Sequence, residues 1–176
     1  GLLRAMIDGG ARQAAMALLW DPAAAAAAHD AGQGTEIEIG VGGRNGPDGE
    51  TPLVRRWRVD ALGDGRFTCD GPMWAGMSKS LGPSAVLRVG GVDILVASNL
   101  MQITDLQQFL VNGIDPRERR TVALKSMQHF RAAYEPIADS VIVADSGALA
   151  SPDMSKIEFV NVRRPLYPFD PAEACH

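Results

Sequence analysis

The stretch "ALKSMQHFRAAYEP", residues 123–136, brings an amine, a hydroxyl, an imidazole and a guanidinium close together as Lys125, Ser126, His129 and Arg131. A hydroxyl near an imidazole suggests a nucleophile and its base, an imidazole alone can move protons or bind metal, and two cations can hold a carboxylate. Nucleophilic hydrolysis fits poorly, because Ser126 lacks the glycine-flanked elbow that exposes a serine and no acid stands ready to orient His129. Ser126 reads better as a helix N-cap. A metal centre needs about three protein ligands and an open position. The histidines here are His29, His129 and His176, and no H-E-x-x-H or comparable pairing joins them. No G-x-G-x-x-G or Walker pattern offers a phosphate cradle either. What remains is position. Lys125 would end a buried strand, and the first amides of the helix after it would favour an anion there, with His129 and Arg131 at its edge. The other reading leaves Lys125 and Arg131 solvated and His129 packed beside the cap.

Two further stretches carry candidate residues. "VGGRNGPDGETP", 41–52, is a loop whose Gly42 and Gly43 would let backbone approach a ligand near Arg44, or which is a plain surface turn. "DGPMWAGMSKSLGP", 70–83, places Met73, Trp74 and Met77 in a loop, where such large apolar groups need cover from the domain's own core, from another domain or from a substrate.

The elements that must position these residues follow from periodicity. Leu2, Leu3, Met6 and Ile7 recur at helical spacing and stop at Gly9-Gly10. Residues 14–20 read as a buried strand, and "DPAAAAAAHDAG" as a helix with Asp21 as N-cap, Pro22 at its first position and Gly32 past its end. From Thr35 to Val41 apolar and acidic residues alternate, as in a half-buried strand. Residues 53–62 and 66–69 suggest a hairpin across Gly63-Asp64-Gly65, and 85–89 with 92–98 a second across Gly90-Gly91. A helix is expected over 104–113 with Thr104 as cap, then a βαβ unit of strand 121–125, helix 127–135 and strand 141–145. The last thirty residues read as an irregular wrap. The fold class is therefore α/β, a mixed sheet with a βαβ unit and antiparallel hairpins, helices packed on the sheet.

Composition bounds the function. The chain has 176 residues, 46% of them hydrophobic and 22% charged, enough for one compact domain over 1–176. A net charge of -4 argues against nucleic acid as a partner, since phosphate binding draws on a concentrated basic surface. The local run Arg55, Arg56 and Arg58 alternates with Val54, Trp57 and Val59, which makes it the solvated face of a strand. Cys69 and Cys175 form no C-x-x-C pair, so a cytoplasmic setting is the simplest expectation. No apolar run approaches the roughly 18–20 residues of a membrane span. "GLLRAMIDGG" opens inside a helical pattern without initiator Met or cap, which suggests a fragment.

In this order, "GPMWAG", "LGPSAVLRVGGVDILVAS", "GIDPRERRTVALKSMQHFRAAYEPIADSVIVAD" and "RRPLYPFD" resemble the C-terminal domain of the MlrC-like (microcystinase C) metallopeptidase family. The resemblance covers nearly the whole chain. It implies a bacterial hydrolase acting on a peptide or amide substrate, with a larger N-terminal domain holding the metal, most simply zinc, and the C-terminal domain packed against it. The metal ligands then lie outside this chain, which is expected to hold none. The residues carried over by motif are Lys125, Ser126, His129, Phe130 and Arg131, with Gly42, Gly43 and Arg44; the resemblance assigns none of them a catalytic role. A non-enzymatic interaction or ligand-binding module is the other function these residues allow.

Overall fold

The structure is a computed structural model that describes residues 1–43, 51–144 and 154–170, and the chain divides into two compact units, Gly1–Ala144 and Asp145–His176. In the first, α1 (Leu2–Asp8) leads into β1 (Ala14–Trp20), α2 (Pro22–Ala31) and the alternating β2 (Glu36–Val41). β3 (Leu53–Gly63) pairs antiparallel with β2 on one side and with β6 (Ser84–Val89) on the other. β6 turns at Gly90-Gly91 into β7 (Val92–Ala97), the hairpin its glycines predict. β4 (Arg66–Thr68) and β5 (Ser78–Ser80) make a separate two-stranded sheet. The chain continues through α3 (Gln107–Leu110), β8 (Thr121–Leu124) and α4 (Arg131–Tyr134).

The main sheet has the order β2-β3-β6-β7-β1-β8, antiparallel as far as β7 and parallel across β7, β1 and β8. It is the mixed α/β architecture that the sequence predicts. β7 shows why both sides are covered, because all six of its residues are buried and its apolar ones alternate between two cores. Val92, Ile94 and Val96 join Leu3, Ala24, Ala25, Ala28 and Trp57 beneath α1 and α2. Leu95 and Ala97 join Phe67, Ile103, Phe109, Phe130 and Tyr134 beneath α3, α4 and the small sheet.

Four expected elements differ. The hairpin across Gly63-Asp64-Gly65 does not form, since β3 pairs with β6 and β4 with β5. The helix expected over 104–113 is helical only at Gln107–Leu110, with Leu106 at its N-cap position instead of Thr104. The helix expected over 127–135 begins at Arg131 and passes into a 3-10 turn at Glu135–Ile137, where Pro136 removes a donor. Residues 141–144 form no strand, and Ile142 is 87% exposed. A parallel crossover does exist, one step earlier, as β7–α3–β8 with β1 between its strands. Arg56 and Arg58 are exposed, as the alternation predicts, and Arg55 pairs with Asp8 at 3.2 Å.

In the second unit, described over 154–170, Met154–Lys156 is a 3-10 turn, Arg164 pairs with Asp170 at 2.6 Å, and the Phe159 and Phe169 rings lie 5.3 Å apart. No helix among the described residues is long and apolar enough to cross a membrane.

The core beneath α4 also sets an alkaline limit. Burial, then the charge of Asp105, pushes the Cys69 thiol above its ordinary 9.0 and the Tyr134 phenol above its ordinary 10.0. Both groups are held protonated in the fold, so the stability they contribute is complete below pH 9 and falls as pH rises and the unfolded chain releases those protons. The urea midpoint is expected to drop from pH 9 upward. In a Cys69→Ala, Tyr134→Phe double variant this decline should flatten, at a cost of about 1 kcal/mol at neutral pH for the lost Tyr134 hydroxyl bond. An alkaline slope equal to that of the unmodified chain would show that other groups govern it.

Candidate functional site

β7, β1 and β8 lie side by side and run the same way, so their carboxyl ends meet along one edge, where open α/β sheets commonly bind ligands. β1 runs directly into Asp21, which is 1% exposed. Its Oδ1 accepts from the Ala24 amide at 3.0 Å, the cap that the sequence predicts, and its Oδ2 accepts from the Gly42 amide at 2.9 Å. One carboxylate thus caps α2 and pins the glycine loop to the edge. At Gly43, φ is +68°, and a Cβ there would lie 2.5 Å from the Thr51 carbonyl carbon, so the loop closes on itself only with glycine. Arg44 lies outside the described residues.

β8 delivers Lys125. Its amide donates to the Ala17 carbonyl at 2.8 Å, extending the pairing with β1, and its side chain is exposed. No helix follows at once, because residues 126–130 form a bend and turn, so the expected anion site at helix amides is not built and Ser126 is not an N-cap. Instead the Ser126 hydroxyl accepts from Gln102 Nε2 at 3.0 Å, and His129 Nδ1 lies 3.0 Å from Gln102 Oε1. Gln102 therefore joins the serine and the histidine. Arg131 is turned to its own helix, in an ion pair with Glu135 and 5.4 Å from the centre of the Phe130 ring.

The segment after β7 is the hub that sequence reasoning missed. Gln108, fully buried, accepts at Oε1 from the Thr104 and Asp105 amides (2.8 and 3.0 Å) and donates from Nε2 to the Gln102 carbonyl at 3.1 Å. Below it, Asn112 donates to the Gln108 carbonyl at 3.0 Å and accepts from the Ser84 hydroxyl at 2.8 Å. Asp105, also buried, accepts from the Gly71 amide at 2.9 Å and the Gln107 amide at 2.9 Å, while the Tyr134 hydroxyl donates to its carbonyl at 3.1 Å. The same short segment thus holds Gln102 at the sheet edge and anchors the loop bearing Trp74. That loop is only partly covered by its own unit: Trp74 is 39% and Met77 49% exposed, with Lys79 Nζ 4.2 Å from the Trp74 ring centre. The signal available in the sequence was Gln108 itself, a polar residue beside Phe109 on the inward side of an apolar helix.

A shallow depression of about 740 Å³ lies at the opposite, amino end of the parallel strands, between Arg12, Gln13, Gly91 and Arg120. It gathers no nucleophile or base. Among the described residues no three His, Cys, Asp or Glu side chains could hold a metal ion, so a zinc site does not fit this chain's own donors there.

Sheet and site together define a mixed α/β domain with a polar cluster at the ends of its parallel strands. The chain belongs to the MlrC C-terminus family, whose pattern matches residues 1–161. It is 30% identical over 171 residues to Microcystinase C of Sphingomonas sp., covering 97% of this chain and 32% of that protein. A crystal structure from Mesorhizobium sp. BNC1, of a protein provisionally named a metallopeptidase, superposes with a TM-score of 0.83 at 26% identity, covering 96% of this chain and 34% of that one. The chain thus spans about a third of the length of each.

Proposed function

We propose that this chain is the C-terminal domain of a metal-dependent peptidase or amidohydrolase of the MlrC type, with zinc held by an N-terminal domain that packs against it. The chain's part is to shape the cleft and place the substrate. The observation that carries this reading is the cluster of Lys125, Ser126, Gln102 and His129 at the edge where β1 and β8 end, in a chain belonging to this family. Lys125 offers an exposed cation for a substrate carboxylate, and Ser126 and His129 offer polar atoms beside it. The partly exposed Trp74 and Met77 suit the face toward the N-terminal domain, and they also favour the alternative, a non-enzymatic interaction module.

The experiment is metal analysis and a peptidase assay on the full-length protein beside this chain alone. Stoichiometric zinc and activity are expected only in the full-length protein. Lys125→Ala there should raise KM about tenfold or more with kcat nearly unchanged and the metal retained, because a charge-assisted contact made equally to substrate and transition state affects binding alone. Loss of kcat with KM unchanged would make Lys125 part of the chemistry and refute the placing role. Full-length protein with neither metal nor activity would favour the interaction module.

A further inference from the structure

We propose that Gln102 is a positioning residue that fixes His129 in its Nδ1–H tautomer, so that His129 Nε2 meets the ligand as a hydrogen-bond acceptor. The two ends of an amide side chain have opposite polarity, and here both are engaged. Gln102 Nε2 donates to Ser126 Oγ, which leaves Oε1 facing His129 Nδ1 at 3.0 Å. A carbonyl oxygen only accepts, so the proton must sit on Nδ1, and a neutral imidazole then has a bare lone pair on Nε2. Among the described residues Nε2 has no hydrogen-bond partner, and the ring is exposed. Gln102 is itself held, because its carbonyl accepts from the buried Gln108 amide, whose other end grips the next turn of chain.

An acceptor at this position selects a ligand with an N–H to give. Lys125, four residues earlier and exposed, supplies a cation on the same stretch of chain, so the ligand class proposed carries both an amide N–H and a carboxylate, the chemistry of a peptide's C-terminal residue. This ligand class rests on the peptidase reading above; the tautomer does not.

The test is 15N NMR of the whole chain labelled at histidine, with the His129 signals identified by their loss in His129→Asn. With the ring neutral, a protonated Nδ1 and an unprotonated Nε2 are expected. Gln102→Leu should shift the population toward the Nε2–H form, while Gln102→Glu, whose carboxylate also accepts, should keep Nδ1–H. An Nε2–H tautomer in the unmodified chain, or no change in Gln102→Leu, overturns the proposal. Titration with N-acetylglycine should move the Nε2 resonance, and acetoxyacetic acid, the ester that lacks the N–H, should not. Equal responses to the two, or none to either, overturn the acceptor role. An Nδ1–H tautomer with this selectivity, in a chain whose full-length protein cleaves no peptide, supports the acceptor and counts against the peptidase reading instead.

Discussion

Asp93→Ala is expected to lower the stability of the chain by about 3 kcal/mol, read as a fall in the urea midpoint at unchanged slope. Asp93 is 2% exposed, and its carboxylate takes a two-pronged bond from Arg88 and a third contact from Arg119 Nη2 at 3.1 Å. Arg88 Nη1 goes on to Asp60 at 2.7 Å, and Asp60 to Arg58 at 3.0 Å. Arg58, Arg88 and Asp93 stand in register across β3, β6 and β7, so this chain of charges runs straight over the sheet and ends at the lead-in to β8. The hydrogen bond to Asp93 is the main reason that the Arg88 guanidinium is held above its ordinary value. Removing the buried member leaves two arginines facing one another. Both keep some access to water, with side chains 41% and 21% exposed, which holds the cost near the lower end of that for a broken buried pair. A loss below about 1 kcal/mol would mean that the network is only a surface arrangement.

Gln108→Ala is expected to cost as much or more, about 3–5 kcal/mol, and to disorganise the candidate site as well. It strands the buried amides of Thr104 and Asp105, each costing about 1–3 kcal/mol when unsatisfied, and frees the carbonyl of the exposed Gln102. Gln108→Glu separates the two effects. Its carboxylate still accepts from both amides but cannot donate to Gln102, so the turn should persist while Gln102 is released. His129 should then lose its tautomer preference in a protein that still unfolds cooperatively. If Gln108→Ala unfolds at the same urea concentration as the unmodified chain, water replaces the side chain and the segment is not held as described.

What could be read in the sequence was what depends on near neighbours. The Asp21 cap, the alternation in β2 and the β6–β7 hairpin each need only a few adjacent residues, and each is present. Partner choice was hidden. Gly63-Asp64-Gly65 has the composition of a tight hairpin, but a Cβ on Gly65 would lie 2.2 Å from the Gly82 carbonyl oxygen, so that turn is pressed against a distant part of the chain and sends β4 out of the main sheet. The apolar run at 141–143 has a strand's composition and no strand's cover, because composition says nothing of what lies opposite. In the site, Lys125, Ser126 and His129 stood out by type. Gln102 did not, being 24 residues from Ser126 and chemically unremarkable until the fold brings its amide between two side chains. Arg131 was chosen for its charge and lies in an ion pair with Glu135.

The position of β1 bears on the order in which the molecule can assemble. This first strand is held between β7 and β8, so residues 14–20 meet one partner only when β7 follows more than seventy residues later, and the other only with β8, more than a hundred residues on. Ala15, Ala17 and Leu18 are buried in the finished sheet, and the strand that carries them has two open edges before β7 is added and one until β8 arrives. Closure is a long-range step and correspondingly slow. The turn after β8 depends on the same step, because the Lys125 amide that opens it pairs with Ala17 of β1. A chain halted before β8 is therefore expected to leave one edge of β1 open to pairing with other chains.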